Sequence, residues 1–224
     1  LFCIAWDRQD RALAVGDSSG ALYRVSRLSN PIVHCHAFTE PITRIAWSSS
    51  PVGRCLVVTG CELILMDESG TKTHVQYASC VLDAAWSGDG RTLAVVCEDG
   101  LVEVVNAEQE SRLPVEGIPA PQCLSWCKDG HQLAIGTEHG YVHLCDPLAN
   151  EVHEGIFCTR FPIHTLEWGS GGLVLKNTQG DLTCVQEEDV LPLLSLRPTP
   201  TFALNVAGTR LATVQRGKVK IAAF

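Results

Sequence analysis

Gly16-Asp17-Ser18-Ser19-Gly20 has the Gly-x-Ser-x-Gly spacing that presents a nucleophilic serine hydroxyl when it sits on a strand-to-helix turn. Here it joins two strand-like runs, and its counterparts along the chain lack the serine, so it reads as a hairpin without catalysis. His34-Cys35-His36 and the Cys123/Cys127 pair carry metal-ligand chemistry, but no second pair stands at ribbon or finger spacing. On a strand, Cys123, Ser125 and Cys127 would share one face, which favours core packing over a metal centre. Gly217-Lys218 runs into Val219, so no phosphate-binding loop follows it. No catalytic residue, cofactor site or metal site is therefore assigned. The eleven cysteines are an odd number and mostly sit in apolar runs, as Cys55 does before Leu56-Val57-Val58. They read as reduced, buried thiols of a cytosolic chain.

The elements that position these residues repeat. Ile4-Ala5-Trp6, Ile45-Ala46-Trp47, Ala84-Ala85-Trp86, Leu124-Ser125-Trp126 and Leu166-Glu167-Trp168 are one tripeptide at intervals of 41, 39, 40 and 42 residues, and they use all five tryptophans. A sixth copy, Ala203-Leu204-Asn205, follows with the Trp replaced. Each unit continues through a polar turn such as Ser87-Gly88-Asp89-Gly90 and an apolar strand such as Leu93-Ala94-Val95-Val96. A second turn closed by glycine then leads into an alternating strand. The closing glycines are Gly20, Gly100, Gly140, Gly180 and Gly217, where a tight hairpin needs positive φ. The second unit has a shorter hairpin at Thr59-Gly60-Cys61-Glu62. A weaker, polar and His-rich fourth strand closes most units, for example Ile32 to His36, Thr71 to Val75 and Glu151 to His153. The stretch from Glu187 to Leu196 is ambiguous between helix and strand.

Periods near 40 with several short strands per unit mean propeller blades. The expectation is an all-β chain forming a single β-propeller domain over residues 1–224, of four-stranded antiparallel blades. The blades run approximately 1–37, 38–78, 79–115, 116–157, 158–197 and 198–224, the last incomplete. About six blades suggest a seven-bladed propeller. Either a seventh blade and a closing strand lie outside this sequence, or the ring is open in it. The tryptophans are expected to pack between neighbouring blades as core.

Composition removes several functions. With 25 acidic against 17 basic residues, a net charge of −8 and no basic cluster longer than Lys218-Val219-Lys220, direct nucleic-acid binding is disfavoured. No apolar run reaches the roughly 18 residues of a membrane-spanning helix, so no transmembrane segment is expected. No Asn-x-Ser/Thr acceptor occurs.

The pattern resembles the WD-repeat (WD40-like) family over essentially the whole chain. It departs from that family in lacking the Trp-Asp dipeptide at the end of the third strand, the nearest relics being Met66-Asp67 and Cys145-Asp146. No Gly-His opens a repeat, so the family's His/Ser/Trp hydrogen-bond network is not carried over. Ala85-Trp86-Ser87-Gly88-Asp89-Gly90 and Glu98-Asp99-Gly100 are similar to the phrasing of N-terminal propellers in large trafficking scaffolds, intraflagellar-transport complex A subunits among them. The WD-repeat domain of the anaphase-promoting complex is comparably close. The resemblance implies a non-catalytic scaffold in a multi-subunit complex, cytoplasmic, and ciliary or cytoskeleton-associated. Its partners would be other protein subunits, with no cofactor and no small-molecule substrate. A propeller enzyme or small-ligand binder is the other class, and it would need convergent polar or metal-liganding residues at the channel mouth. In propeller topology, Asp17, Glu40, Glu98, Asp99, Glu138 and His139 would share one face, against Arg160 and Arg216. That acidic face would take a basic or mixed-charge partner segment, although such residues also serve simply as turn formers and solubilising charge.

Overall fold

The computed structural model describes residues 3–6, 12–26, 32–50, 53–67, 72–109, 111–169, 172–186, 189–195, 202–204, 210–215 and 218–223. They form six antiparallel sheets. The first holds β1 to β4 (Cys3–Trp6, Ala12–Gly16, Ala21–Ser26, Ile32–Ala37) and the second β5 to β8 (Ile42–Trp47, Cys55–Thr59, Glu62–Met66, Lys72–Gln76). The third holds β9 to β12 (Val81–Trp86, Thr92–Cys97, Val102–Asn106, Arg112–Pro114). The fourth holds β13 to β15 (Pro121–Trp126, Leu133–Thr137, Tyr141–Asp146), with β16 (Glu151–Val152) and β17 (Ile156–Phe157) both pairing with β15. The fifth holds β18 to β21 (Ile163–Gly169, Gly172–Asn177, Asp181–Gln186, Asp189–Ser195) and the sixth β22 to β24 (Phe202–Leu204, Arg210–Gln215, Lys218–Ala223). The chain divides into two compact units, Leu1–Pro114 and Val115–Phe224, of three sheets each.

The sheets follow the repeat in opening each on an inner strand that carries the tripeptide, but the fourth holds five strands in place of four, and three strands of the sixth are described. The ambiguous stretch after Glu187 contains strand β21, an edge strand whose Pro192 pairs with Thr183 at a register shift, and edges and bulges are where a sheet tolerates proline. One reading needs correction. Cys127 does not continue the strand face of Cys123, because β13 ends at Trp126. Cys127 opens the following turn, its N–H donating to Gln132 O at 2.8 Å and its carbonyl accepting from Gly130 N at 3.0 Å.

Sequence alternation becomes packing in unit 1. Along β6 and β7, Cys55, Val57 and Ile64 join Ala14, Leu22, Ile42 and Ile45 on the side of the first sheet. The interleaved Leu56, Val58, Leu63 and Leu65 join Val81, Leu93, Val95 and Cys97 on the side of the third. Successive side chains of a strand point to opposite faces, so a sheet covered on both sides reads as an unbroken apolar run. In unit 2 the same arrangement seats Cys123, Val142, Ile163, Leu173 and Leu175 between the fourth and fifth sheets. Gly136 permits it: a Cβ there would stand 2.8 Å from both Cys123 Sγ and a methyl of Ile163.

The tryptophans are less uniform than expected. Trp126 is buried at 8% exposure, whereas Trp47, Trp86 and Trp168 are half-buried. The Trp47 indole N–H donates to Ala5 O at 3.3 Å, and that of Trp168 to Ser125 O at 3.1 Å. Each thus reaches back to the inner strand of the preceding sheet, to the residue just before that strand's own tryptophan. Trp86 Nε1 is buried without a hydrogen-bond partner. The side chain of Trp6 lies outside the described residues.

Four inner strands share one irregularity. Pairing skips Thr43 between Ile42 and Arg44, and likewise skips Leu82, Gln122 and His164. Each is a β-bulge four positions before its tryptophan. Thr43, Leu82 and His164 are exposed and Gln122 is half-buried.

Candidate functional site

At one end of the sheets the second-to-third-strand hairpins are bonded to the connections entering the inner strands. In unit 1, Phe38 N donates to Gly20 O at 2.8 Å and Ile42 N to Asp17 O at 3.1 Å. Thr59 Oγ1 donates to Glu40 O at 2.8 Å. Val81 N donates to Gly60 O at 3.0 Å and Tyr77 N to Cys61 O at 2.9 Å. Glu98 N then donates to Cys80 O at 2.9 Å, and Asp99 N to Ser79 Oγ at 3.2 Å. Loops and hairpins thereby alternate in one hydrogen-bonded belt. Unit 2 has its own: Glu138 N donates to Ala120 O, Cys158 N and Thr159 N to Gly140 O, and Thr178 N to Pro162 O.

The hairpin glycines hold these clasps. Gly20, Gly100, Gly140 and Gly180 all have φ between +80 and +89. A Cβ on Gly140 would fall 1.8 Å from Thr159 O, and one on Gly20 2.3 Å from Phe38 O, while Gly100 faces open space. Gly217 lies outside the described residues.

The belt of unit 1 carries Asp17, Glu40, Glu98 and Asp99, and that of unit 2 carries Glu138, His139 and Arg160. Arg216 lies outside the described residues. Two of the acids have local tasks. Asp17 Oδ1 accepts from Ser19 N, Ser19 Oγ and Ala21 N at 2.9, 2.7 and 3.0 Å. Asp99 Oδ1 accepts from Leu101 N at 3.2 Å. Both are Asx-type turn formers. Glu40, Glu98, Glu138, His139 and Arg160 are exposed.

Sequence reasoning missed the aromatic side chains beside the unit 2 belt. Tyr141 opens β15 directly after the hairpin and meets Phe157 of β17 edge-on, with ring centroids 5.2 Å apart. Tyr141, Phe157 and Phe161 are 38%, 51% and 39% exposed. The Phe161 backbone also comes to that hairpin, its carbonyl oxygen 3.2 Å from where a Cβ on Gly140 would stand, and exposed Arg160 precedes it in the chain. An available signal was composition: only nine aromatics remain outside the tryptophan repeat, and three of them fall within 141–161. Alongside opens a groove of about 380 Å³ whose lining includes Thr159, Asn177 and Asp181. Asn177 Nδ2 donates there to Thr159 Oγ1 at 3.0 Å and to Asp181 Oδ2 at 3.2 Å.

Among the described residues, the buried carboxylates outside the belts are paired. Asp83 meets Arg44 at 2.9 Å and Glu103 meets Arg112 at 3.5 Å. The Tyr77 hydroxyl donates to Glu103, and its phenol is pushed well above the ordinary value by burial first and by Glu103 second. Cys123, half of one suspected ligand pair, is buried in the unit 2 core. His34 and Cys35 have side chains outside the described residues, and His36 Nδ1 sits 2.7 Å from Lys72 Nζ. Among the described residues no group of three or more His, Cys, Asp or Glu side chains is arranged to hold a metal ion.

No family model matches the chain. Among solved structures it is similar to the β-propeller domain of Myceliophteria thermophila Cps50 (Swd1), with a TM-score of 0.81 at 16% identity over 99% of this chain and 82% of that one. The chain has the β-propeller fold, in antiparallel blades that are mostly four-stranded among the described residues.

Proposed function

We propose that the chain is a non-catalytic scaffold that binds other protein subunits through its hairpin belts. The observation that carries this reading is the exposed, edge-on Tyr141/Phe157 pair beside the Gly140 hairpin, whose carbonyl accepts from Cys158 N and Thr159 N, with exposed Arg160 and Phe161 following in the chain. Aromatic side chains and Arg are enriched where protein interfaces store their binding energy, and a preformed loop loses little entropy on docking. The acidic belt of unit 1 is a second, electrostatic contact for a basic or mixed-charge segment. It would act mainly on association rate and weaken with salt.

The finer reading rests on the WD-repeat resemblance alone: a cytoplasmic subunit of an intraflagellar or vesicle transport assembly, with an anaphase-promoting-complex type of assembly as the alternative. The net charge of −8 supports protein over nucleic acid as partner. No described helix is long and apolar enough to cross a membrane.

The test is affinity purification with cross-linking mass spectrometry on the native protein, on a Tyr141→Ser/Phe157→Ser variant and on a Glu98→Lys/Asp99→Lys variant, each checked for folding by circular dichroism. The aromatic variant is expected to lose a direct partner at least about 30-fold, as removal of an interface hot spot does. The charge variant is expected to lose salt-sensitive partners only. An unchanged partner set in both variants overturns the proposal.

A further inference from the structure

Unit 1 brings two thiols together where its second and third sheets meet. Cys61 is the second residue of the turn between β6 and β7, and Cys80 is the last residue before β9. They are nineteen residues apart in sequence, with their sulfurs 3.7 Å apart. Both are partly exposed. Their backbones are held by the belt: Gly60 O accepts from Val81 N at 3.0 Å, Cys61 O from Tyr77 N at 2.9 Å, and Cys80 O from Glu98 N at 2.9 Å. A disulfide requires sulfurs about 2.05 Å apart. Closing the remaining gap, under about 2 Å, falls within the reach of side-chain rotation with little movement of the clasped backbone.

We propose that Cys61 and Cys80 form a redox modification site, a dithiol that hydroperoxides close to an intramolecular disulfide and that thiol reductants reopen. One thiolate attacks the peroxide O–O bond, which breaks; sulfur takes one oxygen as a sulfenic acid and the other leaves as water after protonation. The second thiolate attacks the sulfenic sulfur, forming the S–S bond and expelling the hydroxyl, which leaves as a second water. Overall, two thiols and one hydrogen peroxide give one disulfide and two waters, with two electrons passing from sulfur to peroxide. The bond would staple the β6–β7 hairpin to the connection whose Cys80 carbonyl and Ser79 hydroxyl accept the Glu98 and Asp99 N–H groups. The oxidation state would thus be read at the acidic belt.

The experiment treats the purified chain with a few equivalents of hydrogen peroxide, blocks remaining thiols with N-ethylmaleimide and digests with trypsin without reduction. Cleavage after Arg54, Lys72 and Arg91 yields peptide 55–72, holding Cys55 and Cys61, and peptide 73–91, holding Cys80. The expected product is these two peptides linked, with fragment ions placing the bond at Cys61, and the link is lost on adding dithiothreitol. In Cys80→Ser, peroxide should leave Cys61 as a sulfenic acid captured by dimedone. A link that persists in Cys61→Ser overturns the proposal, because Cys55 would then be the partner. So does unlinked parent chain with both thiols alkylated or separately over-oxidised; the parent-chain digest decides even if a variant fails to fold.

Discussion

At the indole nitrogens of Trp86 and Trp168 the same residue in the same repeat position meets two different environments. Trp168 donates to Ser125 O, whereas the Trp86 N–H is buried without a partner. An unmade buried hydrogen bond costs about 1–3 kcal/mol, and a made one contributes about 1 kcal/mol. Trp→Phe removes similar volume at both sites, so the difference isolates the N–H. Urea midpoints should show Trp86→Phe less destabilising than Trp168→Phe by about 1–2 kcal/mol; equal losses would show that packing alone sets the cost. The hairpin glycines divide in the same way. Alanine at Gly100, which has open space and φ +89, meets only the left-handed backbone penalty of about 1–2 kcal/mol. Alanine at Gly140 also drives a methyl into Thr159 O and adds about 1–3 kcal/mol of overpacking. Thermal unfolding of the two variants should rank them in that order.

Among the elements, β6 is buried on both faces and β8 lies on the outer edge with Thr73 exposed. Leu56→Ala should therefore cost about 2–5 kcal/mol, while Thr73→Ala should stay within about 0.5 kcal/mol, as equilibrium urea unfolding can establish. Inner and middle strands were legible in the sequence because their signals are local: a tryptophan, an apolar run, and a glycine forced into positive φ. The outer strand Arg112–Pro114 left no such mark, since all three residues are exposed and only its pairing with Glu103 to Val105 makes it a strand. Strand β21 was obscured by Pro192, which an edge tolerates. The acidic loop residues could be named in advance because turn chemistry is written locally. The Tyr141/Phe157 pair and the Cys61/Cys80 contact could not. The first depends on a second outer segment returning to β15, the second on how one sheet's hairpin meets the next sheet's entry loop.

At the scale of the whole molecule, buried and half-buried thiols set an alkaline limit. Burial pushes Cys97, Cys145 and Cys158 up to about 12, from an ordinary 9.0, with Asp99 and Glu103 adding to the rise at Cys97. Above pH 9 the unfolded chain releases these protons while the folded chain retains them, so the unfolded state binds fewer protons and stability falls with rising pH. The contribution is fully present below pH 9 and lost progressively between about 9 and 12. Urea midpoints should hold steady from neutral to mildly alkaline pH and then decline, and Cys145→Ala should shallow that decline; a midpoint insensitive to pH in this window would contradict the burial of these thiols. The bulges at Thr43, Leu82, Gln122 and His164 have a consequence of another kind. Each places one side chain per blade outside the ladder register, so its identity is decoupled from strand pairing. A library randomised at these four codons should consist mostly of folded members, measurable by protease resistance on a display platform. Selection for new binding specificities could then proceed there without eroding the scaffold beneath it.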